Sequence, residues 1–212
     1  MAATEGLRER KKRETREAIA RAAWKLFNRR GFDAVTVADI AAEAGVSEKT
    51  VFNYFPAKED LVFEAGMQRT AALIEAVSSR PAGTSIVAPF RQWTMDYLDR
   101  IEHESVEEVT RIPRLVMRSD QLRARLFVGW EQEASLLGPV IAEQVGEPED
   151  SLTPVVVARA LAWTHRVIFR AAFTRLLAGE EPRVVAADLR VQAQRAYDLL
   201  EDGLGGLGVR QR

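Results

Sequence analysis

The chain has 212 residues, with 30 Lys or Arg against 31 Asp or Glu, a formal net charge of −1 and 47% hydrophobic residues. This composition indicates a globular protein with a core of its own and excludes disordered and fibrous chains. The absence of cysteine excludes disulfides, thiolate metal sites and cysteine catalysis, and it fits a cytoplasmic location. No apolar run reaches about 18 residues and the N-terminus is charged, so neither a membrane span nor a secretory signal is expected.

Charge is distributed unevenly along the chain. Residues 7–30 carry ten Lys or Arg against three Glu, whereas residues 61–212 carry 18 basic and 21 acidic residues. A cationic end on a mildly acidic body is typical of a small phosphate-binding module attached to a part with another task.

The first predicted helix spans about residues 8–30. Apolar residues recur along it at helical spacing and form one stripe: Ile19, Ala22, Ala23, Leu26 and Phe27. Gly31 predicts the end of this helix. Most of the cationic residues before the stripe belong to a basic arm, residues 1–15. This arm is either a solubilising tail or a segment that approaches DNA phosphates.

The next stretch, residues 36–55, predicts two short helices joined by a tight turn. Thr36 and Ser47 stand at the N-cap positions of the two helices, where a side-chain oxygen accepts a backbone N–H. Gly45 follows the first helix, where a left-handed residue is usual, and Pro56 ends the second. Helix, glycine-containing turn and helix together form the pattern of a helix-turn-helix.

The second of these helices has two chemically different faces. Three apolar residues are predicted to pack inward: Val51, Phe52 and Phe55. The opposite face carries groups that reach base edges and phosphates: Ser47, Lys49, Thr50, Asn53 and Tyr54. A solvated face on an amphipathic helix is the alternative, but the capped helices and the neighbouring basic helix favour DNA recognition.

Beyond Pro56 the pattern remains helical. A helix over residues 58–80 follows without a linker and is predicted to be a rigid connector, and the first break comes at residues 80–84. Further helices are predicted at residues 85–105, 106–117 (interrupted by Pro113), 120–145, 152–178 and 184–200. No alternating strand pattern is present. The sequence therefore predicts an all-α fold of about nine helices, with an N-terminal three-helix helix-turn-helix domain and a C-terminal helical bundle.

The segment TVADIAAEAGVSEKTVFNYFPAKEDLVF resembles the DNA-binding segment of the TetR family of bacterial transcriptional regulators. The resemblance is specific over about residues 16–63. It implies an all-helical homodimer that binds a palindromic operator in double-stranded DNA, usually as a repressor, and leaves it when a small molecule enters the C-terminal domain. The implied division is a DNA-binding domain (1–57), a connecting helix (58–80), a ligand-binding and dimerisation domain (81–203) and a flexible tail (204–212).

The resemblance also implies roles for individual residues. It assigns contacts with the DNA backbone to four of them: Thr36, Lys49, Tyr54 and Lys58. It assigns base contacts to three residues of the second helix: Lys49, Thr50 and Asn53. Ser47 completes the predicted DNA-binding set. The family usually has a capping Ser, Thr or Asn at position 57, and Ala57 removes that cap at a cost of about 1 kcal/mol.

The C-terminal part is expected to hold both the dimer contact and an effector pocket. Residues 152–178 and 184–200 have excess apolar surface and are the predicted dimer helices, unless both belong to the core. A small hydrophobic or amphipathic effector, such as a fatty-acyl compound or a natural product, is predicted to contact large side chains: Phe90, Trp93, Tyr97, Met117, Phe127, Trp130, Trp163, His165 and Phe169. Aromatic residues at helical spacing are more often core, so that alternative stays open for each. His103, in an acidic stretch, is expected to be exposed.

These features predict a sequence-specific DNA-binding transcriptional regulator, a homodimeric repressor released by a small hydrophobic effector. An activator and an effector-independent regulator are the alternatives. A helical small-molecule-binding protein or enzyme is a remote one, because two distant histidines, no cysteine and no phosphate-binding glycine loop leave no catalytic set. The chain is therefore expected not to be an enzyme, to need no cofactor or metal, and to have no membrane partner.

Overall fold

The computed structural model describes residues 6–148 and 151–204. Within these ranges the chain forms nine α-helices and no strand: α1 (Leu7–Arg30), α2 (Val37–Ala44), α3 (Glu48–Tyr54), α4 (Asp60–Ser79), α5 (Val87–His103), α6 (Val106–Arg118), α7 (Asp120–Val145), α8 (Leu152–Leu177) and α9 (Pro182–Leu204). The all-α prediction is confirmed. Nearly all of the predicted flexible tail lies outside the described residues. No helix in the described part is both long and apolar enough to cross a membrane.

The helices group into two compact units. The first comprises the described residues of Met1–Gly66 together with Leu115–Arg125, and the second comprises those of Met67–Arg114 and Leu126–Arg212. The first unit contains all of α1, α2 and α3, the second contains all of α5, α8 and α9, and α4, α6 and α7 contribute to both. The division at residues 57 and 80 stays a prediction.

The first unit is built on the apolar face of α1. All five residues of the predicted stripe are buried, which confirms it. At the end of α1, Gly31 adopts a positive φ of 78°. The chain turns back there, and the rings of Phe27 and Phe32 pack with their centroids 5.2 Å apart. Ile40 of α2 and Val51 of α3 are buried as well, at 0% and 1% exposure. Three helices thus share one small core.

The start of α4 is stabilised without a side-chain cap at Ala57. The helix begins at Asp60, two residues later than predicted. The Asp60 carboxylate accepts the backbone N–H of Ala57 at 3.2 Å, and it accepts Arg125 Nε and Nη2 at 3.0 and 2.8 Å. Asp60 therefore satisfies one free N–H at the helix start, and Arg125 holds it in place.

Helix α6 runs continuously from Val106 to Arg118, so the predicted interruption at Pro113 is wrong. A proline inside a helix removes one backbone hydrogen bond. Here the ring is buried, and its burial offsets part of that loss.

The second unit has a separate core. Its largest fully buried side chains include Phe90, Leu98 and Ile101 of α5 and Tyr197 of α9. α5 and α9 pack along each other, and α8 packs on both. Phe90 is therefore a core residue.

Candidate nucleic-acid interface

The N-terminus of α2 is fixed by a complete capping box between Thr36 and Asp39. Asp39 N–H donates to Thr36 Oγ1 at 3.1 Å, and Thr36 N–H donates to Asp39 Oδ2 at 2.9 Å. Arg30 Nη2 donates to the same carboxylate oxygen at 3.2 Å. The hydrogen bonds from Thr36, and then the Arg30 guanidinium, lower the pKa of Asp39 to about 2. This confirms the predicted N-cap and ties the helix to the end of α1.

The turn between α2 and α3 follows the predicted geometry. Gly45 adopts the left-handed conformation, with φ 68° and ψ 33°, and its N–H donates to Ala41 and Ala42 carbonyls. Ser47 then caps α3, because its Oγ accepts the Thr50 N–H at 3.1 Å. The Ser47 and Thr50 hydroxyls also hydrogen-bond each other at 2.8 Å. These bonds set the direction in which α3 leaves the turn.

The inward face of α3 is narrower than predicted. Val51 of α3 and Phe55, the residue after its end, are each 1% exposed. Phe52 is 49% exposed, so its predicted inward packing is wrong. Val51 and Phe55 lie about 40° apart around the helix axis, whereas Phe52 lies about 100° from Val51, beyond the buried edge. Lys49 and Asn53 are exposed, as predicted. The outer face of α3 therefore presents a cation, an amide and an aromatic ring.

The C-terminus of α3 is held by Arg16 of α1. Arg16 Nη1 donates to the Tyr54 carbonyl at 2.9 Å, and the guanidinium lies 4.5 Å from the centre of the Phe55 ring. Its Nε and Nη2 donate to the two carboxylate oxygens of Glu64 at 2.5 and 2.9 Å. Sequence reasoning counted Arg16 only among the cationic residues that precede the apolar stripe of α1. The signal was its helical register, because Arg16 falls on the side of α1 that carries Ala23.

Lys58 is engaged inside the first unit. Its Nζ donates to the carbonyls of Phe32 and Val35 at 3.1 and 2.9 Å and lies 4.1 Å from the centre of the Phe32 ring. An ammonium group has three N–H donors, so one remains for another acceptor. The residue fastens the segment before α4 to the loop between α1 and α2, and its predicted phosphate contact stays a prediction.

The described part of the basic arm is helical, since α1 begins at Leu7. Its cationic residues are exposed: Arg8, Arg10, Lys11, Lys12 and Arg13. Arg10 pairs with Glu14 at 3.6 Å and Arg13 with Glu17 at 3.8 Å. Exposed pairs of this kind are weak, so DNA phosphates can compete for these cations.

The predicted effector residues of the second unit do not form one group of contacting rings. Within the second unit, Trp93 of α5 stacks on His165 of α8 with ring centroids 3.9 Å apart. Tyr97 packs on His165 at 5.9 Å and on Phe169 at 5.0 Å. We call Trp93, Tyr97, His165 and Phe169 the inner aromatic group.

Hydrogen bonds join the inner aromatic group to the core. Thr94 Oγ1 lies 2.9 Å from His165 Nδ1 and 2.7 Å from the Tyr197 hydroxyl, and it donates to the Phe90 carbonyl at 3.0 Å. Burial lowers the pKa of His165 to about 3, with a smaller contribution from Arg166. Burial also raises the pKa of Tyr197 to about 12. His165 is thus a neutral, packed histidine at neutral pH.

Three other predicted effector residues of the second unit contact one another. Phe127, Trp130 and Trp163 form an edge-to-face series, with centroid distances of 5.1 and 6.4 Å. They line a cavity of about 220 Å³ between α7 and α8. Met117 belongs to the first unit and is 58% exposed. His103 is exposed, as expected, and the described residues contain no cluster of metal-binding side chains.

Comparisons with known proteins agree with this geometry. Residues 19–65 match the family model described as bacterial regulatory proteins, tetR family. The chain is 28% identical to the HTH-type transcriptional regulator TcmR of Streptomyces glaucescens over 176 residues, 80% of this chain and 78% of that protein.

Solved structures share the fold. SmeT in complex with triclosan superposes with a TM-score of 0.58 and 21% identity over 90% of this chain and 91% of that one. FadR from Bacillus subtilis in complex with stearoyl-CoA superposes with a TM-score of 0.51 and 18% identity over 87% and 96% of the two chains.

Proposed function

We propose that this chain, which belongs to the tetR family of bacterial regulatory proteins, represses transcription as a homodimer and leaves a palindromic operator when a small hydrophobic effector binds. The observation that carries the DNA-binding part is the exposed face of α3. The Thr36–Asp39 box, the left-handed Gly45 and the Ser47 cap together hold this face clear of the core.

Three residues of α3 have the chemistry for base contacts in the major groove. Asn53 can bond both adenine N6 and N7, Lys49 can donate to guanine O6 and N7, and the Thr50 hydroxyl can bond a base edge of either kind. The remaining predicted residues are proposed to contact phosphates or to support those base contacts: Thr36, Ser47, Tyr54 and Lys58. The exposed cations of α1 attract the DNA phosphates whatever the base sequence of the DNA.

Selection of bound sequences from random duplex DNA by the purified protein tests this proposal. We expect one palindromic site, with half-sites separated by about one or more helical turns. Asn53→Ala should relax the preference at one base position by about 1–3 kcal/mol. Asn28→Ala, an exposed asparagine of α1, is the matched control and should leave preference unchanged. No enrichment over random sequence would contradict sequence-specific binding.

Homodimerisation is supported by apolar side chains that α8 and α9 leave exposed. On α8 they fall on one face: Leu152, Val156, Trp163 and Val167. On α9 they do so again: Val184, Val191 and Leu199. Such stripes on adjacent helices suit a four-helix contact between two copies.

Sedimentation at micromolar concentration tests homodimerisation. We expect a dimer that Val167→Glu dissociates. Met67→Glu, an exposed apolar position on α4, should not dissociate it.

The effector is proposed to enter beside the inner aromatic group. Trp93, Tyr97 and Phe169 offer apolar surface there, and His165 offers a ring nitrogen. SmeT and FadR, which share this fold, are described in complexes with triclosan and stearoyl-CoA. A thermal-shift screen of phenolic and long-chain acyl compounds, followed by DNA release, tests this step. Stabilising compounds that leave DNA affinity unchanged would favour an effector-independent regulator.

The sign of regulation is a separate question. A reporter behind the selected operator should rise when the gene is deleted if the protein represses, and it should fall if the protein activates. The family match is to regulatory proteins, and catalysis is not expected of this chain.

A further inference from the structure

We infer that Phe52 contacts the C5-methyl group of a thymine in each operator half-site, and so contributes to sequence preference. This inference rests on the proposed DNA binding through α3. Phe52 was expected in the core, but it is 49% exposed, so a large part of its apolar ring faces the surroundings of α3.

The position of Phe52 places it among the groups proposed to contact bases. It lies three residues after Lys49 and directly before Asn53, and all three side chains are exposed. Residues three apart on a helix are neighbours on its surface. Its two inward neighbours, Val51 and Phe55, are 1% exposed, so the ring has no place in the core beside them. A DNA groove that is contacted by Lys49 and Asn53 is therefore also contacted by the Phe52 ring.

The chemistry of the groove selects the partner. In the major groove, the thymine C5-methyl is the apolar feature that a base pair presents, and phenylalanine is among the side chains that contact it. Removing about one methyl group of apolar surface from water is worth a factor of about four in affinity. Phenylalanine has no donor or acceptor with which to contact a phosphate. The ring consequently favours an A·T pair next to the base contacted by Asn53.

Replacement of thymine by deoxyuridine isolates this contact, because it removes only the methyl group and keeps Watson–Crick pairing. Each thymine of the selected operator is replaced singly, and affinity is measured at fixed salt for wild type, Phe52→Ala and Phe52→Leu. We expect one or two thymines per half-site at which the replacement weakens wild-type binding about fourfold. Phe52→Ala should lose that sensitivity, and Phe52→Leu should keep part of it.

The control is Met67→Ala, which shortens an exposed apolar side chain of α4 and should keep the wild-type sensitivity at every thymine. If Phe52→Ala lowers affinity while every thymine keeps its wild-type sensitivity, the ring contacts sugar or another surface and the inference is wrong. If no thymine is sensitive in wild type, it is wrong as well. Absence of operator binding by the wild type would instead refute the proposed function, so the two failures are distinguishable.

Discussion

Arg16, in the first half of α1, hydrogen-bonds through Nη1 to the carbonyl of Tyr54, the last residue of α3, at 2.9 Å. The last carbonyls of a helix have no partner within it, and a guanidinium there satisfies one of them and complements the helix dipole. The same guanidinium bonds Glu64 of α4 through two further nitrogens. One side chain of α1 thus connects that helix to the end of α3 and to α4.

We expect Arg16→Ala to lower the free energy of unfolding by about 1–2 kcal/mol, because it removes charge-assisted hydrogen bonds from a partly exposed site. Chemical denaturation at fixed protein concentration measures this change. Arg21→Ala is the matched control, since Arg21 lies on the same helix and pairs with Glu17 on an exposed surface at 3.5 Å. Equal losses in both variants would show that the contact with Tyr54 adds nothing to stability.

Substitutions of Lys49 and Lys58 should differ in their effects on the stability of the protein, although both should affect DNA binding. Lys49 is exposed, so Lys49→Ala should leave the melting temperature unchanged. Because the family resemblance assigns Lys49 a contact with the DNA backbone as well as with bases, the substitution should reduce the slope of log affinity against log salt by about 1. Lys58→Ala should reduce DNA binding and should also lower the melting temperature, because the carbonyls of Phe32 and Val35 lose their donor. Calorimetry and a salt titration of operator binding measure the two effects. A normal melting temperature for Lys58→Ala would mean that water replaces the ammonium without loss.

Local sequence signals predicted most of the first unit, because Thr36, Gly45 and Ser47 act on backbone within four residues of themselves. The exposure of Phe52 could not be predicted in the same way, because it depends on the width of the buried face of α3. That width depends on how closely α1 packs and is not encoded in the sequence of α3. The inner aromatic group was only partly predicted. Helical spacing identified Trp93 and Tyr97, but the stacking of Trp93 on His165 depends on pairing α5 with α8, which no local pattern specifies.

Asp39 should make the first unit sensitive to strong acid. Its folded pKa of about 2 lies below the ordinary value of 3.8. The stabilisation is therefore present above about pH 4 and is lost as the pH falls towards 2. Asp39→Asn should remove this part of the acid dependence, measured as hydrogen-exchange protection of α2 amides. Glu48→Gln, an exposed acid in the first turn of α3, serves as control. An unchanged acid profile in Asp39→Asn would contradict the role of the capping box.

His165 should make the second unit sensitive to mild acid. Its folded pKa of about 3 lies below its ordinary value of 6.5. Between these values the unfolded chain binds a proton that the folded chain does not, so stability falls as the pH falls. From pH 7 to pH 5 the free energy of unfolding should decrease by about 2 kcal/mol.

The chain offers a matched control for this prediction, because His103 is its only other histidine and is exposed. His103→Gln should keep the full decrease in stability between pH 7 and pH 5. His165→Gln should be less stable at pH 7, since the Thr94 contact changes, and it should lose the part of the decrease that comes from His165. Denaturant unfolding at several pH values, at one protein concentration, measures both. If His165→Gln keeps the full decrease, other groups cause it and the predicted role of His165 is wrong.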